Sequence, residues 1–135
     1  MASNQTEIRS RSRTFRATAA VSRFRVVTQG ADSTDFFRTV TQAALITSVP
    51  AGISRNAIAS GEEGSVGQAG EFPVEVAAAV AINDELIVDA VGAIGRVKPK
   101  GATVAPYWRI GIARSAQATV GGICQIEYNP VLVTA

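Results

Sequence analysis

From residue 71 onward the chain is cut into short apolar runs by turn-forming residues, and this punctuation narrows its possible folds most. In "EFPVEVAAAVAINDELIVDAVGAIGRV", Phe72, Val74 and Val76 alternate with Glu71 and Glu75. Asn83–Asp84 form a turn, Leu86, Val88 and Ala90 alternate with Ile87, Asp89 and Val91, and Gly92 breaks the run. Alternation with period two predicts strands, because successive strand side chains point to opposite faces. Pro73 has no N–H to give a ladder and places its strand at a sheet edge. "KPKG" reads as an exposed turn. "YWRIGIARSAQATVGGICQIEYNPVLV" supplies two further strands, with Gly121–Gly122 leading into the last and Pro130 releasing a short apolar tail, "VLVTA".

The first half follows the same rule less cleanly. In extended form Arg9, Arg11 and Arg13 share one side of "RSRSRTFR", with Ser10 and Ser12 opposite, and Phe15, Ala17, Ala19 and Val21 continue the arginine side. The segment passes from basic arm to half-buried strand without changing direction. "SRFRVVTQG" continues as strand and "GADSTD" is a turn by composition. In "FFRTVTQAALITSV" a cap at Ser33 or Asp35 favours a short helix, whereas Thr39, Val40, Thr41, Ile46, Thr47 and Val49 favour strand, and strand is the expectation. Gly61, Gly64, Gly67 and Gly70 recur at every third position of "SGEEGSVGQAG". Four triplets without proline do not make a collagen-like helix. A phosphate-cradling loop needs a helix directly after it, and none follows. A flexible loop between strands is expected there.

At least seven short strands between Gly, Asn, Asp and Pro turns predict an all-β fold, a compact barrel or sandwich. The expected organisation is an extended basic N-terminal arm over residues 1–13 and a single β-domain over 14–135 with a short C-terminal tail. A chain of 135 residues with 47% apolar content is long enough to bury one core. Charged residues are only 18%, which leaves weakly polar surface for a partner. Cys124 is the one cysteine and sits between Ile123 and Gln125–Ile126, a buried core position. With no disulfide possible within the chain, folding in a reducing cytoplasm is expected. No apolar run approaches the ~18 residues that span a bilayer, and the N-terminus lacks a signal-peptide core. A membrane is not an expected partner.

Charge is distributed unevenly. Residues 1–25 hold six Arg and one Glu, a balance of +5, while residues 26–135 hold seven cations and ten carboxylates, a balance of −3. Eleven of the thirteen cations are Arg, whose planar fork grips carboxylate or phosphate and tolerates desolvation, as an interface requires.

Catalytic chemistry is hard to place. Without histidine the chain lacks the commonest general base and metal ligand, and one cysteine cannot make a zinc site. The carboxylates after residue 25 are Asp32, Asp35, Glu62, Glu63, Glu71, Glu75, Asp84, Glu85, Asp89 and Glu127. Glu71, Glu75, Asp84 and Asp89 are expected on a solvated face rather than in a glycosidase-like pair. "DELIVD" lacks the dense oxygen spacing of a calcium loop. The chain is not expected to be an enzyme or to hold a metal or cofactor. Nucleic acid is supported by the basic arm alone, since the aromatics are scattered and the body is acidic. A small DNA-compacting protein using the arm on phosphates stays the alternative. Tyr107–Trp108–Arg109 reads as core or interface.

The order of short motifs in the C-terminal two thirds resembles the capsid cement, or decoration, proteins of tailed bacteriophages. It runs through Gly70, Ala81–Ile82, Asn83–Asp84, Asp89–Gly92, Ile110–Gly111–Ile112–Ala113 and Gly121–Gly122, with "FRATAAVSRFRVVTQG" suiting the opening strand. Asn83 stands where that family usually has a turn glycine, which Asn tolerates because it accepts φ > 0. The resemblance implies a β-domain made in the host bacterial cytoplasm. It implies assembly, commonly as homotrimers, on the outer surface of an icosahedral head, clamping neighbouring major capsid subunits without chemistry. The arm lies outside the family pattern. Arg9, Arg11, Arg13 and Arg16 are expected to dock on capsid carboxylates, with a solvated tail as the alternative. Phe15, Tyr107, Trp108 and Arg109 are the expected subunit or capsid interface.

Overall fold

The computed structural model describes residues 11–30, 38–90, 92 and 94–134. Among these residues there is no helix and there are nine strands: β1 (Arg11–Ala17), β2 (Val26–Gln29), β3 (Thr39–Gln42), β4 (Pro50–Ser54), β5 (Glu63–Glu75), β6 (Glu85–Val88), β7 (Val97–Pro99), β8 (Tyr107–Ala113) and β9 (Ile123–Val133). They lie in the order β1-β3-β2-β4-β5-β9-β8-β6-β7. Because β1 also pairs with β5, the first five of these strands close into a barrel. Closure leaves that half without a free sheet edge, which is how a small β-protein avoids pairing indiscriminately. The fold is all-β, as expected.

Strand β5 belongs to both halves. Its first part pairs with β1 from Glu63 opposite Arg16 to Ala69 opposite Arg11, while Gly70–Glu75 pair with Tyr128–Ile123 of β9. Two cores lie on either side of this division. Phe15, Ala17, Val21, Val27, Val40, Ile58 and Val66 fill the barrel. Phe72, Val74, Val76, Leu86, Val88, Val97, Ile110, Cys124 and Ile126 fill the second half, joined by Val26 and Ile53. Val26 and Val27 are neighbours on β2 and point to opposite cores, so strand alternation also ties the halves together.

The glycine-rich stretch expected as a loop is instead the start of this shared strand. A Cβ on Gly64 would lie 2.4 Å from Ile58 Cγ1, and one on Gly67 would lie 2.5 Å from Phe72 Cε1. Glycine serves close packing at those two positions. At Gly70, φ is 108°, a conformation that favours glycine, and there β5 changes partner from β1 to β9.

Other expectations are revised in the same way. Arg11, Ser12 and Arg13 are paired residues of β1 rather than arm, and Arg9 lies outside the described residues. Strand β9 runs through Pro130, and Val131, Leu132 and Val133 pair with Arg109, Trp108 and Tyr107, so the tail is part of the sheet. Of "FFRTVTQAALITSV" only Thr39–Gln42 form strand, and Phe36 and Phe37 are outside the described residues. Lys98 and Pro99 of "KPKG" belong to β7. Asn83 adopts φ 73° in its turn, as its replacement of glycine requires.

Glu75 and Asp89 do not form a solvated face. Glu75 Oε2 accepts from Arg25 Nη2 at 3.0 Å and from Arg96 Nε. Arg25 Nη1 donates to the Ile94 carbonyl at 3.0 Å, and Gln42 Nε2 reaches the same oxygen at 3.2 Å. This cluster stitches the residue leading into β2 to the residue leading into β7. Asp89 is buried, with one carboxylate oxygen 3.6 Å from Lys98 Nζ.

Two buried groups set an alkaline limit. Burial pushes the Tyr128 phenol well above its ordinary value near 10.0, and burial likewise raises Cys124 above 9.0 although Ser115 partly opposes it. The folded state thus holds both protons more tightly than the unfolded chain does. The stability they contribute is intact below about pH 9 and lost as pH rises through the raised values. Urea midpoints are expected to fall between pH 9 and 11, and Tyr128→Phe should flatten that slope. An unchanged slope in the variant would show that the phenol proton is not involved.

Candidate functional site

Most cations of the barrel and its partner sheet are accounted for within the chain. Arg16 Nη2 lies 2.8 Å from Glu63 Oε2, directly across the β1–β5 ladder. Arg114 holds Glu127, with Nε to Oε1 at 3.1 Å. Arg55 Nη1 donates to Ser12 Oγ at 3.1 Å, with its guanidinium 5.2 Å from the Phe72 ring centre. Arg23 lies over Phe24 at 4.9 Å. Among the described residues Arg11, Arg13, Arg38, Lys100 and Arg109 are left without a side-chain hydrogen bond, ion pair or ring contact.

Three of those five gather at one end of the barrel. Arg11 and Arg13 sit at the start of β1, and Arg38 immediately precedes β3. Arg13 lies two residues from Phe15, on the same side of the strand, and opposite Val66 of β5. Strand β1 therefore changes character along its length. Phe15 and Ala17 are buried in the barrel, while Arg11 and Arg13 on the same side have passed beyond its core into solvent.

Phe15 forms part of the lining of a groove of about 540 Å³ at this end. Its other walls are Thr28 and Gln29 of β2, Arg38, Val49, Pro50 and Ala51 along β4, and Gln68 of β5. All five barrel strands or their entering residues contribute. Gln68 Nε2 donates to the Ala51 carbonyl at 3.2 Å and Thr28 Oγ1 to the Val49 carbonyl at 2.7 Å, which fixes two walls. Among the described lining residues Phe15, Val49, Pro50 and Ala51 are apolar, Gln29 and Gln68 offer amides, and Arg38 is the one cation, with no carboxylate. The paired Glu63 lies at the opposite end of the β1 ladder.

The residues singled out from the sequence separate accordingly. Arg11 and Arg13 share the basic end. Arg16 has the opposite parity and is tied to Glu63, so it does not share their face. Phe15 and Tyr107, expected at an interface, are each only 4% exposed and are packed within the chain itself. Their aromatic surface is used internally, although Phe15 still lines the groove. Trp108 packs against the second core, and its main-chain N–H donates to the Ile46 carbonyl at 2.8 Å. Exposed Leu132 lies across the ladder from it, and exposed Leu45 precedes Ile46. Arg109 pairs in register with Val131, and its Nε is buried without a partner. Arg38, Gln29 and Gln68 were not legible as site residues, because only barrel closure brings positions 29, 38, 51 and 68 together.

The same fold occurs in a solved structure, the head fiber gp8.5 N base of bacteriophage phi29. The two superpose with a TM-score of 0.68 over 90% of this chain and 95% of that one, at 20% sequence identity. That likeness is one of fold. No curated protein sequence matches the chain. Residues 7–127 match the family model of the phage cement proteins. The chain therefore belongs to the phage cement protein family, structural proteins of the virion that bind the phage capsid.

Proposed function

We propose that this protein cements the head from outside, docking on the outer surface of an icosahedral shell and bridging neighbouring major capsid subunits as a homotrimer. The observation that carries the proposal is the pair of unpartnered arginines, Arg11 and Arg13, held on a paired strand at one end of the barrel. An arginine on a paired strand loses little backbone freedom when its guanidinium meets a carboxylate, and the planar fork gives the contact direction. Trp108, Leu132 and Arg109 are offered to a second copy, where a large aromatic beside an arginine is a favourable anchor.

Co-sedimentation with empty, genome-free heads of the parent phage tests this. Charge reversal is the right perturbation, because removing residues 1–13 would also strip Arg11, Ser12 and Arg13 from the β5 ladder. Wild-type protein is expected to pellet with heads and Arg11→Glu/Arg13→Glu to remain in the supernatant. Arg23→Glu/Lys100→Glu, with the same change in net charge, should pellet like wild type. Equal loss in both double variants would mean that net charge, not this end of the barrel, governs docking. Wild-type protein that ignores heads but shifts DNA with a steep salt dependence would replace cementing with phosphate binding.

A further inference from the structure

We infer that the groove at the mouth of the barrel binds an extended acidic segment of the major capsid protein, with a carboxylate at Arg38 and an adjoining apolar side chain against Phe15 and Ala51. The inference rests on the cementing function proposed above and adds a specific site to it. Its volume of about 540 Å³ suits a few side chains of a peptide. Arg38 is a cation at the wall, and among the described residues it has no side-chain partner and the lining has no carboxylate. A lone phosphate would meet Arg38 but leave the apolar surface of Phe15, Val49 and Ala51 uncovered. A peptide matches both, because alternate residues of an extended strand can present an acid to the rim and an apolar group to that surface.

The amide walls fit the same occupant. Gln29 is exposed and has no side-chain partner, so its donors and acceptor are available to a passing main chain. The Gln68 amide already donates to Ala51, which leaves its oxygen to accept a main-chain N–H. A second copy of this chain is a weaker occupant. Its most exposed apolar side chains, Val104 and Val120, do not lie beside unpaired carboxylates on one strand.

The experiment places p-benzoylphenylalanine at Gln29 of the full chain, which disturbs no hydrogen bond or core contact. The variant is bound to empty heads and irradiated, and the adduct is mapped by mass spectrometry. A cross-link to a stretch of the major capsid protein containing Asp or Glu is the expected result. A variant that pellets with heads but cross-links to another copy, or to a stretch without acids, overturns the groove while leaving cementing intact. Wild-type protein that does not pellet overturns both. In parallel, Arg38→Glu should lower head affinity at least tenfold while Lys100→Glu changes it less than twofold. An Arg38→Glu protein that binds like wild type also overturns the inference.

Discussion

Glu75→Ala is expected to lower the melting temperature by about 10–15 °C, far more than Glu127→Ala. The side chains of Arg25, Arg96 and Glu75 retain 12%, 24% and 17% exposure, so their charges are largely withdrawn from water. Removing the carboxylate leaves two guanidinium groups facing one another with little solvent to screen them. Breaking such a buried pair costs about 3–5 kcal/mol, and the residual exposure here places the loss near ~3 kcal/mol. For a domain of this size each kcal/mol is worth about 4 °C. Glu127→Ala is the comparison, since its partner Arg114 and Glu127 itself are 39% and 34% exposed and such a pair contributes ~0–1 kcal/mol. Glu75→Gln, which keeps an acceptor, should fall between the two. If Glu75→Ala melts within about 3 °C of Glu127→Ala, the cluster is not what couples the two halves.

That cluster also shows where sequence alone stopped. Alternation around Leu86, Val74 and Ile126 gave away strands because each has one face in a core. Glu75 fits the outward positions of the same pattern, and nothing local distinguishes a carboxylate facing water from one facing Arg25, fifty residues earlier in the chain. The glycine-rich stretch was misjudged for a related reason. Glycine is ordinarily a sign of loop, but at Gly64 and Gly67 it is demanded by Ile58 and Phe72, and their positions follow only from the finished packing. The arginines were half legible. Parity alone separates Arg16 from Arg11 and Arg13, whereas the pairing of Arg11 and Arg13 with β5 depends on barrel closure. A polar strand with no buried face looks like an arm until its partner is known. The groove was wholly hidden, because closure assembles it from residues up to fifty-three positions apart, Phe15 and Gln68.

Replacing Arg11 and Arg13 by alanine is expected to shift head loading by about a hundredfold, although each arginine contributes little alone. An exposed or half-exposed ion pair is worth ~0.2–1 kcal/mol, so two lost per copy amount to about 1 kcal/mol, near fivefold in a single contact. In the proposed homotrimer three copies dock as one body and compound that loss, and fivefold taken three times is about a hundredfold. Titrating empty heads with wild-type and Arg11→Ala/Arg13→Ala protein measures the shift directly. A hundredfold change means linked docking through this end of the barrel, while about fivefold means that copies land singly and the trimer is not the docking unit. No change removes the arginines from the contact. Salt supplies an independent check, since ions screen charges at the rim of an interface over ~10 Å at 0.1 M. Between about 0.05 and 0.5 M salt, wild-type loading should weaken steeply and the alanine variant much less, because the screened charges are those it has already lost.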